Sequence, residues 1–315
     1  MVVFALAAVL LAAPFQDPAP SPVPQSAPDP DSPVALEDVE ITGKPLDRMI
    51  RNFVNEVAAP NRGRGLARWQ DDICVGVANL RNEPAQYIVD RVSTVAEDVG
   101  LTPGQPGCTP NIMIVASGDA AALAQQLVAE RGRAFRMGGS GMDRGGVALR
   151  AFQASEAPVR WWQVSMPTDS ETGMRAVRIP GECRNDCTDP RDMAPVTNVF
   201  AASRLSTQIV DTIFRTIVIL DVDKVSDLSV VQLADYVAMV TLAQIDPTAD
   251  TSAYSSILNV FEFPDDAQGL TDWDKAYLTG LYDAERSRKN QRAGRTEIAD
   301  SIYRAHYGLQ DDEAD

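Results

Sequence analysis

The fold class of this chain is decided by three consecutive segments, ICVGVA (73–78), EPAQYIVDRVSTVAEDVG (83–100) and NIMIVAS (111–117). The first and third are short apolar runs rich in β-branched residues, as is typical of buried strands. The middle segment has apolar residues at helical spacing, with Pro84 in its first turn and Gly100 as a stop signal. A strand, a helix and a strand at this spacing predict a right-handed βαβ unit.

Further elements are predicted on both sides of this unit. A short strand, VEITG (39–43), is followed by the amphipathic helix LDRMIRNFVNEV (46–57). After the unit, GDAAALAQQLVAER (118–131) predicts another helix. The segment RMGGSGMDRGG (136–146) predicts a flexible loop at the edge of a cleft, and it is not a phosphate cradle because no G-K-[ST] follows it.

The second half of the chain predicts two more strands and then helices. We expect VRWWQVSMP (159–167) and MRAVRIP (174–180) to pair as antiparallel strands around a turn, and 203–225 to form a helix followed by the strand TIVILDV. The remaining predicted helices are 228–245, 255–261, 271–284 and 295–306. Together these elements predict a single α+β domain over residues 38–310. It would contain a mixed sheet, a long central helix at about 228–245 and a helical C-terminal part.

Both ends of the chain differ in composition from the predicted domain. Residues 1–13, MVVFALAAVLLAA, form an apolar run shorter than the roughly 20 residues of a membrane-spanning helix. They predict a signal peptide, although no Lys or Arg precedes the run, and an uncleaved anchor or a buried helix is the alternative. Residues 14–37 are rich in Pro, Ser and Asp and predict a disordered linker. Residues 311–315 are an acidic tail, and the expected location is the periplasm or the exterior.

The net charge of −16 excludes a nucleic-acid backbone as the expected partner. Ten of the acidic residues lie before residue 41 or after residue 310, so the predicted domain itself is only mildly acidic. We expect contact with a membrane only if the signal segment is not cleaved.

Four cysteines, an even number in a chain predicted to be exported, indicate structural disulfides. Three pairings are possible, and we favour Cys74 with Cys108. Cys183 would then pair with Cys187 within GECRNDCTDP. Zinc binding at this second pair is disfavoured because structural zinc sites usually combine two close ligand pairs. Redox chemistry is disfavoured because the spacing is not C-x-x-C.

The order of the predicted elements from residue 68 to residue 285 resembles the zincin peptidases, in particular their metzincin-like branch. The long helix after LSVVQ (228–232) stands where that family has its zinc-binding helix. SILN (256–259) is similar to the S-I-M-N turn beneath the zinc, and DKAYLTGLY (274–282) is similar to the closing helix. The resemblance implies a peptidase-like fold with a cleft beside the long helix. An unrelated α+β domain is the alternative.

The residues that bind zinc in such enzymes are replaced in this chain. A zinc-binding helix carries His at positions i and i+4 and Glu at i+1. Gln232 and Tyr236 take the two His positions here, and Leu233 takes the Glu position. The turn glycine, the third ligand and the turn methionine are replaced by Met239, Leu242 and Leu258. We therefore predict no metal and no cofactor. Because Met resists the left-handed conformation of glycine, we also expect the helix to run on to Asp246.

These replacements imply a pseudo-peptidase, that is, a non-catalytic binding or scaffold protein of the bacterial cell envelope. Its expected ligand is a peptide, a protein or a cell-wall component, held in the remnant cleft by Gln232, Asp235, Tyr236 and Trp162. A Trp162 packed beneath a covering loop is the alternative for that residue. The alternative function is a hydrolase that uses carboxylates or an unrecognised metal site. It would require several perturbed carboxylates that converge in one pocket.

Overall fold

A four-stranded mixed sheet lies at the centre of the fold. Its strands are β1 (Val75–Ala78), β2 (Ile112–Ser117), β3 (Val159–Asp169) and β4 (Ile209–Asp221), arranged in the order β1-β2-β4-β3. β1, β2 and β4 are parallel, whereas β3 is antiparallel to β4 and forms one edge of the sheet. The predicted α+β class and the mixed sheet are therefore confirmed.

The computed structural model describes residues 44–70, 72–137, 141–179, 182, 194–198, 206–286 and 290–314. Its helices are α1 (Lys44–Val57), α2 (Asn82–Asp98), α3 (Ala120–Glu130), α4 (Gly132–Phe135), α5 (Gly145–Ala154), α6 (Val230–Leu242), α7 (Asp272–Asp283) and α8 (Gln291–Ala314), with a 3₁₀ turn at Ile257–Asn259. The predicted signal peptide, the linker and the strand at 39–43 lie outside these residues. None of the described helices is both long enough and apolar enough to cross a membrane.

The strand–helix–strand unit forms as its sequence pattern predicts. β1 and β2 are parallel neighbours, and α2 connects them. α2 buries Ile88, Val92, Val95 and Ala96, which recur at helical spacing and form one apolar stripe. The periodicity of the sequence is thus sufficient to define this part of the fold.

Two apolar clusters cover the two faces of the sheet. One cluster joins the sheet to α1, α2, α6, α7 and α8, and the other joins it to α3, α4 and α5. Successive residues of a strand face opposite sides of a sheet. Trp161 of β3 accordingly belongs to the first cluster, and its neighbour Trp162 belongs to the second.

The predicted partner of β3 forms only in part. Residues 174–176 pair antiparallel with residues 167–169 around the turn, through a bridge between Thr168 and Arg175 and two backbone hydrogen bonds, whereas β4 pairs with β3 along its whole length. The stretch from Ile209 to Arg215 was expected to be helical and is instead the first half of β4. Its β-branched residues favour an extended conformation, and pairing with β3 stabilises that conformation.

Two further boundaries differ from the sequence-based expectation. The glycine-rich segment 136–146 is not entirely a loop, because Met142 is buried and α5 begins at Gly145. α6 ends at Leu242 and does not continue to Asp246. Beyond its end the main chain pairs with another segment, since the carbonyl of Gln244 accepts the N–H of Ala59 at 3.0 Å.

A disulfide joins Cys74, just before β1, to Cys108, just before β2. The predicted first pairing is confirmed. In the chain-entropy description, a loop of this length contributes about 3–4 kcal/mol to the free energy of unfolding. Cys183 and Cys187 lie outside the described residues.

Candidate functional site

The first predicted cleft residue, Gln232, connects the start of α6 to a neighbouring loop. Its backbone N–H donates to Ser229 Oγ at 3.1 Å, and its side-chain Oε1 accepts from the Ser229 N–H at 3.0 Å. This reciprocal pair is a capping box, and the S-x-x-Q spacing of LSVVQ is its sequence signal. The side-chain Nε2 donates to the carbonyls of Pro264 and Ala267, at 2.6 and 2.9 Å. The amide of Gln232 is therefore fully used inside the protein.

Asp235 holds three segments of the chain together. Its carboxylate forms a two-pronged ion pair with Arg91 of α2, and its Oδ2 accepts the N–H of Leu270 at 2.7 Å. The Asp235 side chain is only 2% exposed, and the hydrogen bond to it raises the pKa of Arg91. A buried carboxylate held in this way fixes α6 to α2, and it does not face a ligand.

Tyr236, the third predicted cleft residue, is packed among aromatic rings. Its ring packs edge-on against Trp161 of β3 and against Phe261, with centroid distances of 6.2 and 5.0 Å. Burial raises the pKa of its hydroxyl. The space between α6, β3 and residue 261 is thus occupied by packed aromatic rings.

The SILN turn and the start of α7 meet at a buried carboxylate. Asp274 accepts hydrogen bonds from the Ser256 hydroxyl at 2.6 Å and from the Ile257 N–H at 2.7 Å. It also accepts from the N–H and the hydroxyl of Thr271, which caps α7. Burial raises the pKa of Asp274 despite these donors. The two short motifs behind the resemblance are therefore in direct contact.

Trp162 lies on the other face of the sheet from the α6 residues. It is 3% exposed, its indole N–H donates to the Phe135 carbonyl at 2.8 Å, and its ring packs against Phe152 of α5. It is packed beneath neighbouring structure, which was the alternative to a cleft position. The structure brings Gln232, Asp235 and Tyr236 together on α6, but it does not bring Trp162 to them, and all four side chains are buried.

The buried carboxylates do not converge on one point. Each has its own local partners: Asp143 with Arg136 and Gly145, Asp211 with Arg64 and Gly65, Asp221 with Lys224, Asp235 with Arg91 and Leu270, and Asp274 with Ser256, Ile257 and Thr271. Across the described residues, no group of three or more His, Cys, Asp or Glu side chains is placed to hold a metal ion. These contacts describe separate structural anchors.

An unpaired stretch of backbone is found at the outer edge of β3, which sequence reasoning missed, and its residues 159–163 are all buried. The Pro158 carbonyl accepts the N–H of Asp221 at 2.9 Å. Because antiparallel pairing alternates, Arg160 and Trp162 direct their backbone groups toward β4. Trp161 and Gln163 direct theirs outward, and no described residue hydrogen-bonds them. Strand order, which the sequence does not reveal, creates this edge.

The outer edge is covered farther along β3 and open at its start. The Ser165 N–H donates to the Met142 carbonyl at 2.8 Å, and the Pro167 carbonyl accepts the N–H of Ala176 at 2.9 Å. Before these contacts, a groove of about 140 Å³ runs beside the strand. We call it the β3-edge groove. It is lined by residues 159–163 of β3, by Ala148, Ala151 and Phe152 of α5, and by residues 244, 245, 247 and 248 after α6.

Arg160 lines the β3-edge groove and lacks a partner. It is 2% exposed, and none of its three guanidinium nitrogens has a hydrogen-bond partner among the described residues. Burial lowers its pKa, while the charges of Glu156 and Asp221 act in the opposite direction. A buried guanidinium without hydrogen bonds is costly, so an acidic ligand group would stabilise it.

No protein-family model matches the chain, and comparison with curated proteins and with solved structures gives no match either.

Proposed function

We propose that this chain is an exported, non-catalytic binding protein that holds an extended acidic peptide along the β3-edge groove. The observation that carries the proposal is the pair of outward-facing backbone units at Trp161 and Gln163, placed between two walls. An extended peptide can add to such an edge as a further strand, and its backbone hydrogen bonds then supply affinity. The groove, at about 140 Å³, holds roughly one residue, so most of the peptide would lie outside it and only the backbone units beside Trp161 and Gln163 would enter it.

The acidic character of the ligand follows from Arg160. All three guanidinium nitrogens are sealed from solvent, so a carboxylate on the peptide would have to displace part of the groove wall to become the charged partner that Arg160 lacks among the described residues. Charge-assisted hydrogen bonds of this kind are stronger than neutral ones and are directional. The free part of the edge covers five residues, which at about 3.3 Å per residue matches a peptide of four or five residues.

Features of the fold support a zincin-like ancestry for this binding protein. The antiparallel edge strand β3, the helix α6 that follows β4, and the contact between the SILN turn and α7 agree with the resemblance. The positions that would bind zinc carry Gln232, Leu233 and Tyr236, which are packed or hydrogen-bonded inside the protein. A binding role requires none of the lost ligands.

The disulfide between Cys74 and Cys108 supports the periplasmic or secreted location. Disulfides form and persist in oxidising compartments and are rare in the cytosol. The predicted signal peptide agrees with this assignment.

A matched pair of peptides tests the proposal. The first is a capped pentapeptide of alternating valine and glutamate, and the second has the same side chains but is N-methylated at alternate amides. N-methylation removes the donors that strand addition needs, so we expect isothermal titration calorimetry to detect binding of the first peptide only. Arg160→Met should weaken that binding at least tenfold, whereas Arg150→Met, at an exposed position on α5, should not. Equal binding of both peptides would contradict the proposal, and cleavage of the peptide would favour the hydrolase alternative.

A further inference from the structure

A second and larger cavity is lined by arginines. It has a volume of about 400 Å³ and lies between residues 58–68, the start of β4, residues 281–286 and the first turns of α8. Among the described residues, none lines both this cavity and the β3-edge groove. We call it the arginine cavity. Its charged lining residues are Arg64, Arg68, Arg286, Arg295, Asp211 and Glu285.

One of these arginines is neutralised within the protein. Arg64 contacts Asp211 Oδ1 through Nε at 2.8 Å and through Nη2 at 2.7 Å. The other carboxylate oxygen, Oδ2, accepts the N–H of Gly65 at 3.0 Å. The buried carboxylate of Asp211 is thus committed to the segment beside the cavity.

Arg68 has donors that remain available. Its Nη1 donates to the Leu281 carbonyl, and its guanidinium lies 5.7 Å from the centre of the Tyr282 ring. No carboxylate of the described residues forms an ion pair with it. Its remaining nitrogens form no hydrogen bond with a described residue, and they are not sealed inside the protein. They are accessible to a molecule in the cavity.

A second positive charge lies close to Arg68. Arg286 donates to Thr212 Oγ1 at 2.9 Å and to Gln70 Oε1 at 3.3 Å. Burial and the nearby charge of Arg286 lower the pKa of Arg68 to about 10. The positive charge of Arg286 therefore acts on Arg68, and an anion beside Arg68 would be attracted by both charges.

The rest of the lining is largely apolar. Leu66, Ile209, Leu281 and Ile298 contribute to the wall, and the volume lies within the range of small-molecule sites. The cavity therefore combines a cationic part with apolar walls. This combination suits a ligand that has an anionic group at one end and a hydrocarbon body.

We propose that the arginine cavity binds a small organic oxyanion. Its carboxylate or phosphate group contacts Arg68 and Arg295, which also lines the cavity and forms no ion pair with a described residue, and its hydrocarbon body packs against Leu66 and Ile298. This site is independent of the β3-edge groove, so its occupancy does not require the peptide ligand.

Calorimetric titration of the full chain with four probes tests this assignment. The probes are octanoate, octyl phosphate, inorganic phosphate and the uncharged octanol. We expect at least one alkyl oxyanion to bind saturably with Kd below about 1 mM, inorganic phosphate to bind at least tenfold more weakly, and octanol not to bind. The ratio of the first two affinities identifies the headgroup.

Variants connect the binding to the proposed residues. Arg68→Gln and Arg295→Gln should each weaken the best probe about tenfold or more, as expected for loss of a charge-assisted hydrogen bond. The exposed Arg292→Gln, which does not line the cavity, is the matched control and should bind normally. Arg295→Gln keeps the test valid if Arg68→Gln impairs folding. Absence of saturable binding, equal affinity for octanol, or insensitivity to both cavity variants would overturn the proposal. Peptide binding at the β3-edge groove should remain unchanged in Arg68→Gln.

Discussion

The region around α6 and the region around the outer edge of β3 treat their polar groups in opposite ways. On α6, the side-chain amide of Gln232 and the carboxylate of Asp235 are hydrogen-bonded to other groups of the protein. At the edge of β3, no described residue hydrogen-bonds the outward backbone groups of Trp161 or the guanidinium of Arg160. Buried polar groups that are satisfied stabilise a fold, whereas unsatisfied ones are costly unless a ligand pairs with them. The comparison separates a region in which polar groups serve the fold from a region in which they lack partners among the described residues.

The largest effect that would test this difference is expected at Tyr236. Replacing Tyr236 with Ala removes a buried ring between Trp161 and Phe261 and should lower the free energy of unfolding by about 3–5 kcal/mol. Urea denaturation measures the change. Tyr307→Ala, at a ring that is 38% exposed, is the control and should have a much smaller effect. A loss below about 1 kcal/mol at Tyr236 would mean that this region is not tightly packed.

The next effect concerns the ion pair of α2 and α6. Arg91→Met leaves the buried Asp235 without its cation, and the expected loss is about 3 kcal/mol in the free energy of unfolding. Urea denaturation of Arg48→Met, at an exposed position on α1, provides the baseline. If Arg91→Met were as stable as this control, the pair would not anchor α6.

A pH-dependent effect is expected at Asp274. Asp274→Asn removes acceptors from the Ile257 and Thr271 N–H groups and should cost about 1–3 kcal/mol at pH 4. Burial raises the pKa of Asp274 in the folded state above its pKa in the unfolded chain. The free energy of unfolding of the wild type therefore falls as pH rises above the unfolded pKa, because the buried group must then ionise. The stability gap between wild type and variant should therefore narrow from pH 4 to pH 7. Urea denaturation at several pH values measures this difference in the free energy of unfolding. A difference that widens from pH 4 to pH 7 would contradict the prediction.

The smallest effect on stability is expected in the open region. Arg160→Met replaces a buried guanidinium that lacks partners with an apolar chain, so the free energy of unfolding should stay within about 1 kcal/mol of wild type or rise. The free energy of unfolding of Arg91→Met is the direct comparison, because it also removes a guanidinium but from a carboxylate partner. A loss at Arg160 as large as that at Arg91 would show that Arg160 has a structural partner and would remove the argument for an acidic ligand.

An element of this fold can be predicted from the sequence when the residues that determine its conformation are neighbours along the chain. β1, α2 and β2 are predicted because their periodicity and the punctuation by Pro84 and Gly100 are contained in one short stretch. The first half of β4 is missed because Val210, Ile213 and Phe214 also recur at helical spacing. Pairing with β3, more than forty residues away, decides its conformation.

The same reasoning applies to the sites. The capping role of Gln232 has a local signal, because Ser229 precedes it by three residues. The role of Asp235 has none, since its partner Arg91 is 144 residues away. The outward edge of β3 depends on strand order alone, and the arginine cavity depends on segments from three parts of the chain. Tertiary contacts therefore determine both candidate sites.

Backbone amide hydrogen exchange at the edge of β3 tests the central claim most directly. Exchange would be measured by NMR on the full chain with and without the capped valine–glutamate pentapeptide. Mass spectrometry of the recovered peptide would show whether it has been cleaved. We expect the amides of Trp161 and Gln163 to become strongly protected while the peptide stays intact, and those of Arg160 and Trp162, which already face β4, to change little. Unchanged exchange at Trp161 and Gln163 under conditions of saturating peptide would contradict binding at this edge.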